Sequence, residues 1–453
     1  MVAAGLGCTN PVTEDGFFFQ PNTPHERYEH AFRRVGLETT ALGYEWIRTS
    51  QRALEEAHAV EPPFHETGYF DPRQAHAVGY RLTLERGQLL KVTGELNGTV
   101  FVDLFRVEDR LDERYDHAVS ADEDSLGFQH LVRRSGEYVL RLQPEILAGG
   151  RYEVRIIAAP SLEFPVLGHD MGAIRSRFGA PRDGGRRDHH GVDIFAPRGT
   201  PVIAAARGQV RSTRPSGLGG NVVWLRTEAG NLYYAHLDSV SVRRGMSVRV
   251  GDTVGFVGNT GNARTTPPHL HFGVYSRGPS DPEPYLFRPP QDPPPLVADA
   301  ELVGNEVRVS SDRTGLLGAP TSRADVIEQL RRFTPLRVLG GTSRYLRVVL
   351  PTGVVGFVDA SKVESVIDPL ERQVLAIGRR VLANPLDTLS VVGTLPQGEE
   401  VLVHGQFGRY LYVVANGRRG WMVSDLAGPQ DGGRVLTGSP AAVVAAPSDD
   451  GSR

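Results

Sequence analysis

Apolar and polar residues alternate along most of the segment 78–158, and this alternation constrains the fold more than any other feature of the sequence. Tyr80, Leu82 and Leu84 illustrate the pattern, which glycine-containing turn signals interrupt at intervals. Successive side chains of a strand point to opposite faces, so short alternating runs between turns predict an antiparallel β-sandwich. We place this sandwich at residues 70–160.

The chain has 453 residues, which is too long for a single hydrophobic core, so we expect several modest domains. Its 52 glycines and 32 prolines are typical of globular domains joined by turn-rich loops. The single cysteine, Cys8, excludes an internal disulfide framework and a cysteine-based structural zinc site. No run of 18 apolar residues is present, so we expect no membrane-spanning helix.

The formal net charge of −3 conceals a basic middle third, since residues 161–290 carry 16 basic and 10 acidic side chains. Such a surplus can attract a polyanion, either nucleic acid or a cell-wall polymer, although surface charge more often only keeps a domain soluble. The charge by itself assigns no partner. The motifs described below favour the cell-wall polymer, and we expect no nucleic-acid partner.

The first residues are small and apolar up to Cys8 and polar after it, which resembles the end of a bacterial lipoprotein signal. We interpret residues 1–21 as the remnant of such a signal, with Cys8 as a lipid anchor, although the seven residues before it are fewer than a signal needs. The alternative is an ordinary free cysteine. In residues 22–62 the apolar spacing predicts one or two amphipathic helices, broken near Gly36 and Gly43.

The C-terminal third contains an internal repeat with a period of 65 residues. Arg-Tyr-Leu-Arg-Val-Val at 344–349 is matched by Arg-Tyr-Leu-Tyr-Val-Val at 409–414, and each copy continues into a hairpin turn and a glycine-aromatic pair. Short strands joined by tight turns favour small β-barrels. The predicted segments are a proline-rich linker at 289–297, barrels at 298–367 and 368–427, and a disordered tail at 428–453.

Three short motifs supply side chains that bind metals and move protons. His189 and Asp193 flank a glycine that favours a turn leading into a strand, and His269 and His271 would point to the same side of a strand. His236 lies between the two motifs. A catalytic zinc site takes three protein ligands and leaves a fourth position to water. His189, Asp193 and one of the paired histidines supply three ligands, and the other two histidines remain to orient or deprotonate water.

The segment from about residue 164 to 286 resembles the lysostaphin-type, LytM-like zinc metalloendopeptidases, which cut the peptide stems or bridges of bacterial peptidoglycan. The resemblance rests on His-His-Gly-Val-Asp-Ile-Phe-Ala-Pro from His189, on Tyr-Ala-His-Leu around His236 and on His-Leu-His-Phe from His269. It implies a Zn²⁺ cofactor with His189, Asp193 and His271 as ligands. It also implies that His236 and His269 are the catalytic histidines. We place this antiparallel β peptidase domain at residues 161–288.

The flanking segments carry weaker resemblances. The sandwich is similar to the bacterial pre-peptidase C-terminal type of domain, which implies a jelly-roll sandwich. Both predicted barrels resemble bacterial Src-homology-3-like domains, which accompany cell-wall enzymes. The predicted fold class is therefore mainly β and multidomain, with N-terminal helices plus a β-sandwich, a LytM-like peptidase domain and two C-terminal small β-barrels. The barrels either hold the enzyme on its polymer by multivalency or shield the catalytic cleft.

These features together predict a zinc-dependent endopeptidase that hydrolyses peptide stems or cross-links of peptidoglycan. Its expected location is the cell envelope, as a periplasmic protein or outer-membrane lipoprotein, or outside the cell. Two alternatives stay open: a catalytically inactive LytM-like activator of cell-wall amidases, and a secreted protease that acts on proteins. Inactive relatives typically lack one or more of the five site residues, whereas this chain has all five.

Overall fold

A computed structural model describes most of the chain, namely residues 23–96, 98–109, 114–122, 127–286, 292–296 and 300–424. Cys8 and the segments 1–21 and 428–453 lie outside the described residues, as does part of the predicted linker. The described residues form several sheets and few helices, which confirms the mainly β fold class. None of the helices in these ranges has the length and apolarity needed to cross a membrane.

Two N-terminal helices precede the first strands, α1 at Pro24–Arg34 and α2 at Ala41–Glu55. A capping box between Thr23 and Glu26 satisfies the first backbone N–H groups of α1. Gly43 lies inside α2, so the expected break at this position is wrong. A Cβ there would lie 2.0 Å from the carbonyl oxygen of Leu37, and the glycine therefore serves close packing and not helix termination.

The next segment forms two sheets around one apolar core, as expected for a sandwich. One sheet has the order β1-β3-β8-β5-β6, and the other contains β2-β9-β4-β7. Side chains of both sheets, among them Leu82, Leu140 and Ile156, are fully buried in the shared core. The strands are β1 His58–Ala59, β2 Phe64–Phe70, β3 Val78–Leu84, β4 Gln88–Leu96, β5 Val100–Val107, β6 Tyr115–Ser120, β7 Phe128–Leu131, β8 Gly136–Pro144 and β9 Gly150–Pro160.

The middle segment contains an eight-stranded sheet with the order β10-β13-β21-β17-β16-β15-β19, and β22 pairs with β21. Leu270, Phe272 and Val274 alternate along β21 and are fully buried in the core below the sheet. The residues between them therefore face the opposite side. The elements are β10 Ile174–Ser176, β11 Pro181–Arg182, β12 Arg187–Asp188, β13 Val192–Phe195, β14 Pro201–Ile203, β15 Gly208–Ser212, β16 Asn221–Thr227, β17 Gly230–Leu237, β18 Ser239–Val240, β19 Ser247–Val248, β20 Thr253–Phe256, β21 His269–Tyr275, β22 Pro279–Ser280 and the helix α3 Glu283–Leu286.

The C-terminal repeats form two further groups of strands. The first group joins the sandwich, because β26 pairs with β2 and extends that sheet to eleven strands. The second group forms a six-stranded sheet. The strand pairing among the described residues closes neither group into a ring, so the two small barrels stay a prediction. The strands are β23 Glu306–Val309, β24 Thr314–Leu317, β25 Val326–Leu330, β26 Pro335–Gly341, β27 Tyr345–Val349, β28 Val355–Asp359, β29 Val363–Ser365, β30 Glu371–Val374, β31 Arg379–Asn384, β32 Asp387–Leu395, β33 Glu400–Phe407, β34 Tyr410–Ala415 and β35 Arg418–Val423.

A buried ion pair reinforces the junction between the sandwich and the first repeat. Arg347 of β27 donates to Glu66 of β2 at 2.8 Å, and the Glu66 side chain is fully buried. The hydroxyl of Tyr80 also donates to Glu66, and the Arg347 guanidinium donates to the hydroxyl of Tyr152. The first repeat is therefore held to the sandwich by both backbone pairing and a buried polar network.

Candidate metal centre

The register of two neighbouring strands brings Asp193 and His271 together. β13 pairs with β21 so that Asp193 lies directly opposite His271. His189 lies in the loop before β13, as the sequence predicts for a turn leading into a strand. Gly191 permits this loop to pass close to β21, because a Cβ there would lie 2.9 Å from the ring of His271 and 2.4 Å from the carbonyl oxygen of Phe272.

Three side-chain atoms converge at this point. Asp193 Oδ1 lies 3.0 Å from His189 Nε2 and 3.0 Å from His271 Nδ1, and the two nitrogens are also 3.0 Å apart. Zinc bonds of about 2.0–2.2 Å in tetrahedral geometry separate neighbouring ligand atoms by about 3.3 Å, so the three atoms fit one zinc ion. All three side chains are largely shielded from solvent.

The hydrogen bonds of this triad also suit a metal. His189 Nδ1 lies 2.8 Å from the backbone carbonyl oxygen of Arg177, and since a carbonyl only accepts, Nδ1 carries a proton and Nε2 is the nitrogen that faces Asp193 and His271. Burial acts to raise the pKa of Asp193, but hydrogen bonds from His189 and His271 hold it well below its usual range. Burial lowers the pKa of His271. The site thus presents two imidazoles and an ionised carboxylate, the donor set that zinc binds.

His236 and His269 lie beside the triad with their rings 5.0 Å apart, and the His236 ring is 5.9 Å from that of His271. Each of the two has Nδ1 at 2.9 Å from a backbone carbonyl oxygen, that of Thr260 for His236 and that of Pro267 for His269. The carbonyls fix both tautomers, so each Nε2 is left as a proton acceptor.

The backbone and surroundings of these two histidines are specialised. His236 has a φ of 63°, a left-handed conformation that non-glycine residues adopt rarely and that is enriched at functional sites. Burial, followed by the nearby His269 and His271, lowers the pKa of His236 to about 4. Phe195 stacks on His269 with ring centroids 4.9 Å apart and planes 20° apart, which fixes the orientation of that ring.

The structure brings all five predicted site residues into one cluster, while their individual roles stay a prediction. The neighbouring His190 is exposed, and it contributes its backbone carbonyl, which accepts a hydrogen bond from Tyr275. His169 is half-buried, and its ring bonds locally to the carbonyl of Leu167. Neither of these two histidines belongs to the cluster.

Sequence reasoning did not find the three aromatic side chains next to His271, here called the aromatic shelf, namely Trp224, Tyr233 and Tyr275. The Tyr233 ring lies 5.9 Å from that of His271, and Trp224 lies 4.4 Å from Tyr233 and 5.1 Å from Tyr275. All three are half-buried. One signal was available, because Tyr275 follows His271 by four residues in a strand and so faces the same side.

Arg182 is a further residue that sequence reasoning missed. Its Nη2 donates to Asp193 Oδ2 at 2.7 Å, yet it lies in a short hairpin ahead of all the motifs. No spacing or periodicity in the sequence marks it.

Comparison with known protein families identifies the segment that contains this cluster of side chains. Residues 187–282 match the family described as Peptidase family M23. The chain contains an M23 peptidase domain. The matched residues of the M23 domain include all five clustered side chains, whereas Arg182 lies just before them.

Over 93 residues the M23 domain is 44% identical to DD-carboxypeptidase/endopeptidase Mpg of Neisseria meningitidis. This match covers 20% of this chain and 21% of that protein. It is 41% identical to peptidoglycan DD-endopeptidase ShyA of Vibrio cholerae, again over 20% of this chain and 21% of that protein. The chain thus spans about a fifth of the length of these curated relatives. The catalytic domain of lysostaphin from Staphylococcus simulans is 36% identical and covers 24% of this chain and 88% of that chain, with a TM-score of 0.22.

Proposed function

We propose that the M23 domain hydrolyses peptide bonds of bacterial peptidoglycan with a zinc ion held by His189, Asp193 and His271. The observation that carries the proposal is the convergence of two imidazole nitrogens and one carboxylate oxygen at mutual distances of 3.0 Å. The similarity to a protein named as a peptidoglycan DD-endopeptidase supports the substrate class.

A zinc ion in such a site supplies a Lewis acid that polarises the scissile carbonyl and lowers the pKa of water. The chain's own part is to hold the donors in place and to move protons. His236 and His269 each present a free Nε2 to the cleft, since their Nδ1 atoms are bonded to backbone carbonyls. One Nε2 accepts a proton from the attacking water and returns it to the leaving amine, while the other, when protonated, donates to the oxyanion.

The aromatic shelf is the proposed support for the substrate chain next to this centre. Its rings offer apolar surface. On the same face of β21, the residue between His271 and Tyr275 is a glycine, Gly273. A Cβ at Gly273 would lie 2.7 Å from the Tyr275 ring, so a larger residue there would displace the shelf. The substrate is thus proposed to lie across Gly273 and against the faces of Tyr233 and Trp224.

Peptidoglycan lies outside the cytoplasm, so we propose an extracytoplasmic location for the protein. A lipid anchor at Cys8 and a wall-binding role for the C-terminal repeats are further predictions from the sequence. They bear on where the enzyme is held and not on the chemistry of the cleft.

The test is to incubate the full-length protein with purified sacculi and, separately, with casein, each with and without a chelator and with zinc restored afterwards. We expect soluble peptide-bearing fragments from sacculi only, abolished by the chelator and recovered with zinc. Cleavage of casein alone would instead identify a secreted protein protease. Inertness towards both, combined with stimulation of an added cell-wall amidase, would identify a regulatory protein.

A further inference from the structure

Arg182 occupies a fixed position next to the proposed metal centre. It lies in β11, which pairs with β12 so that Arg182 is opposite Arg187. Gly184 and Gly185 form the intervening turn with φ values of 71° and 87°, which glycine adopts without strain. The backbone N–H of His189, directly after β12, donates to the carbonyl of Ala180 at 2.9 Å, so one hairpin carries both the arginine and the first ligand.

The two oxygens of the Asp193 carboxylate have different partners. Oδ1 faces His189 Nε2 and His271 Nδ1, each at 3.0 Å, and is the oxygen at the metal position. Oδ2 accepts a hydrogen bond from Arg182 Nη2 at 2.7 Å. Rotation of the carboxylate would break the charge-assisted bond to Arg182, and such bonds are about twice as strong as neutral ones.

The same nitrogen also links Arg182 to a second element. Nη2 donates to Ser176 Oγ at 2.6 Å, and Ser176 lies opposite Asp193 in the pairing of β10 with β13. Ser176 Oγ is in turn 3.4 Å from His189 Nδ1. The Arg182 guanidinium therefore contacts one ligand directly and another through the serine.

We propose that Arg182 is a positioning residue for the metal centre, which holds Asp193 as a ligand through one oxygen and keeps Oδ2 out of the site. This inference rests on the proposed zinc site. A guanidinium near a divalent cation also repels it, so two effects of opposite sign compete. Loss of a partner that orients a ligand typically weakens metal binding by about 10–100-fold, and we expect this orienting effect to prevail.

The test compares zinc affinities of the full-length protein and of variants by competition with a chromophoric chelator. Arg182→Ala is expected to bind zinc about 10–100-fold more weakly than the wild type. Arg182→Lys keeps a charged donor and is expected to recover most of the affinity. The matched control is Arg186→Ala, which removes the same charge from an exposed position of the same hairpin and is expected to leave zinc affinity unchanged.

A second measurement separates positioning from a general loss of folding. The visible spectrum of the cobalt-substituted protein reports the geometry around the metal, and it is expected to change in Arg182→Ala but not in Arg186→Ala. Equal zinc affinity and identical cobalt spectra in these two variants would overturn the inference, as would tighter zinc binding by Arg182→Ala. If Arg182→Ala fails to fold, the same comparison is made with Arg182→Gln, for which a zinc affinity and a cobalt spectrum equal to those of Arg186→Ala would overturn the inference.

The outcome is separable from that of the proposed function. A wild-type protein that binds no zinc would contradict the proposed function and this inference together. A wild-type protein that binds zinc but leaves sacculi intact would contradict the proposed function alone, because the affinity and spectral comparison of the Arg182 variants needs no hydrolysis.

Discussion

Asp193 lies opposite His271 in adjacent antiparallel strands, with its Oδ1 at 3.0 Å from His271 Nδ1. This pairing is set by the register of β13 against β21. A shift of β21 by one residue would turn His271 to the other face of the sheet and place Leu270 or Phe272 opposite Asp193. The buried apolar residues of β21 thus fix the register, and the register fixes the metal centre.

Removal of any one of the three proposed ligands is expected to abolish tight zinc binding and hydrolysis together. We expect Asp193→Ala to lower zinc affinity by more than the roughly 10–100-fold typical of losses outside the ligand set. His190→Ala is the matched control, because His190 is adjacent to His189 but exposed. Zinc content and release from sacculi are measured on the same preparations. A fully active Asp193→Ala variant would contradict the assignment.

The two remaining histidines are expected to separate catalysis from metal binding. His236→Ala and His269→Ala should retain zinc, because the converging ligand atoms belong to His189, Asp193 and His271. Each should lose about 10²–10⁴-fold in kcat, the usual contribution of general acid–base catalysis. His169→Ala should behave as the wild type. Loss of zinc from either His236 or His269 variant would argue that the side chain is a ligand.

The buried ion pair between Glu66 and Arg347 is expected to hold the sandwich and the first repeat together. Glu66→Ala leaves the buried guanidinium without its carboxylate, which costs about 3–5 kcal/mol of stability. The control is Glu400→Ala, since the Glu400 side chain is 56% exposed and its pair with Arg372 should contribute less than about 1 kcal/mol. Urea unfolding is the measurement. Equal unfolding midpoints for the two variants would show that the pair is dispensable.

A stability change with pH is expected from His25, whose Nε2 is bonded to Gln143 and whose ring stacks on Trp46. Burial, followed by the charge of Arg141, lowers the pKa of His25 to about 4. The unfolded chain therefore takes up the proton first as pH falls below about 6.5, and the folded state loses about 2 kcal/mol between pH 7.5 and pH 5.

Thermal unfolding at these two pH values, with wild type and His25→Gln compared, measures this effect. The variant cannot take up the proton and should show a smaller loss of stability at pH 5. His169→Gln changes a histidine that is only half-buried and should follow the wild type. An unchanged pH dependence in His25→Gln would mean that other groups account for the acid sensitivity.

The site could be predicted from the sequence because its side chains obey short-range rules. His269 and His271 share a face through strand alternation, and the glycine at 191 marks the turn that brings His189 next to Asp193. The order of these motifs then matched a family whose ligands are known by position. The distances and tautomers required the structure, since they depend on how the strands and loops place each ring against its backbone carbonyl partner.

Other features have no signature in local periodicity. The strand Phe64–Phe70 does not alternate and contains a glutamate, yet Glu66 is fully buried because Arg347 lies 281 residues away in sequence and pairs with it. The pairing of β2 with β26 and the contact of Arg182 with Asp193 are likewise set by tertiary packing. Secondary-structure propensity and residue spacing report only on neighbours along the chain. They therefore do not predict contacts between residues that are far apart in sequence.

The most direct test of the central claim is mass spectrometry of fragments released from purified sacculi by the zinc-loaded protein. The account predicts products in which one water has been added across a peptide bond, with glycan strands and the glycan–peptide amide intact, and release of these products at least about 100-fold slower by His236→Ala. Fragments cut in the glycan or at the glycan–peptide amide, or peptide cleavage at the wild-type rate by His236→Ala or after zinc removal, would contradict it.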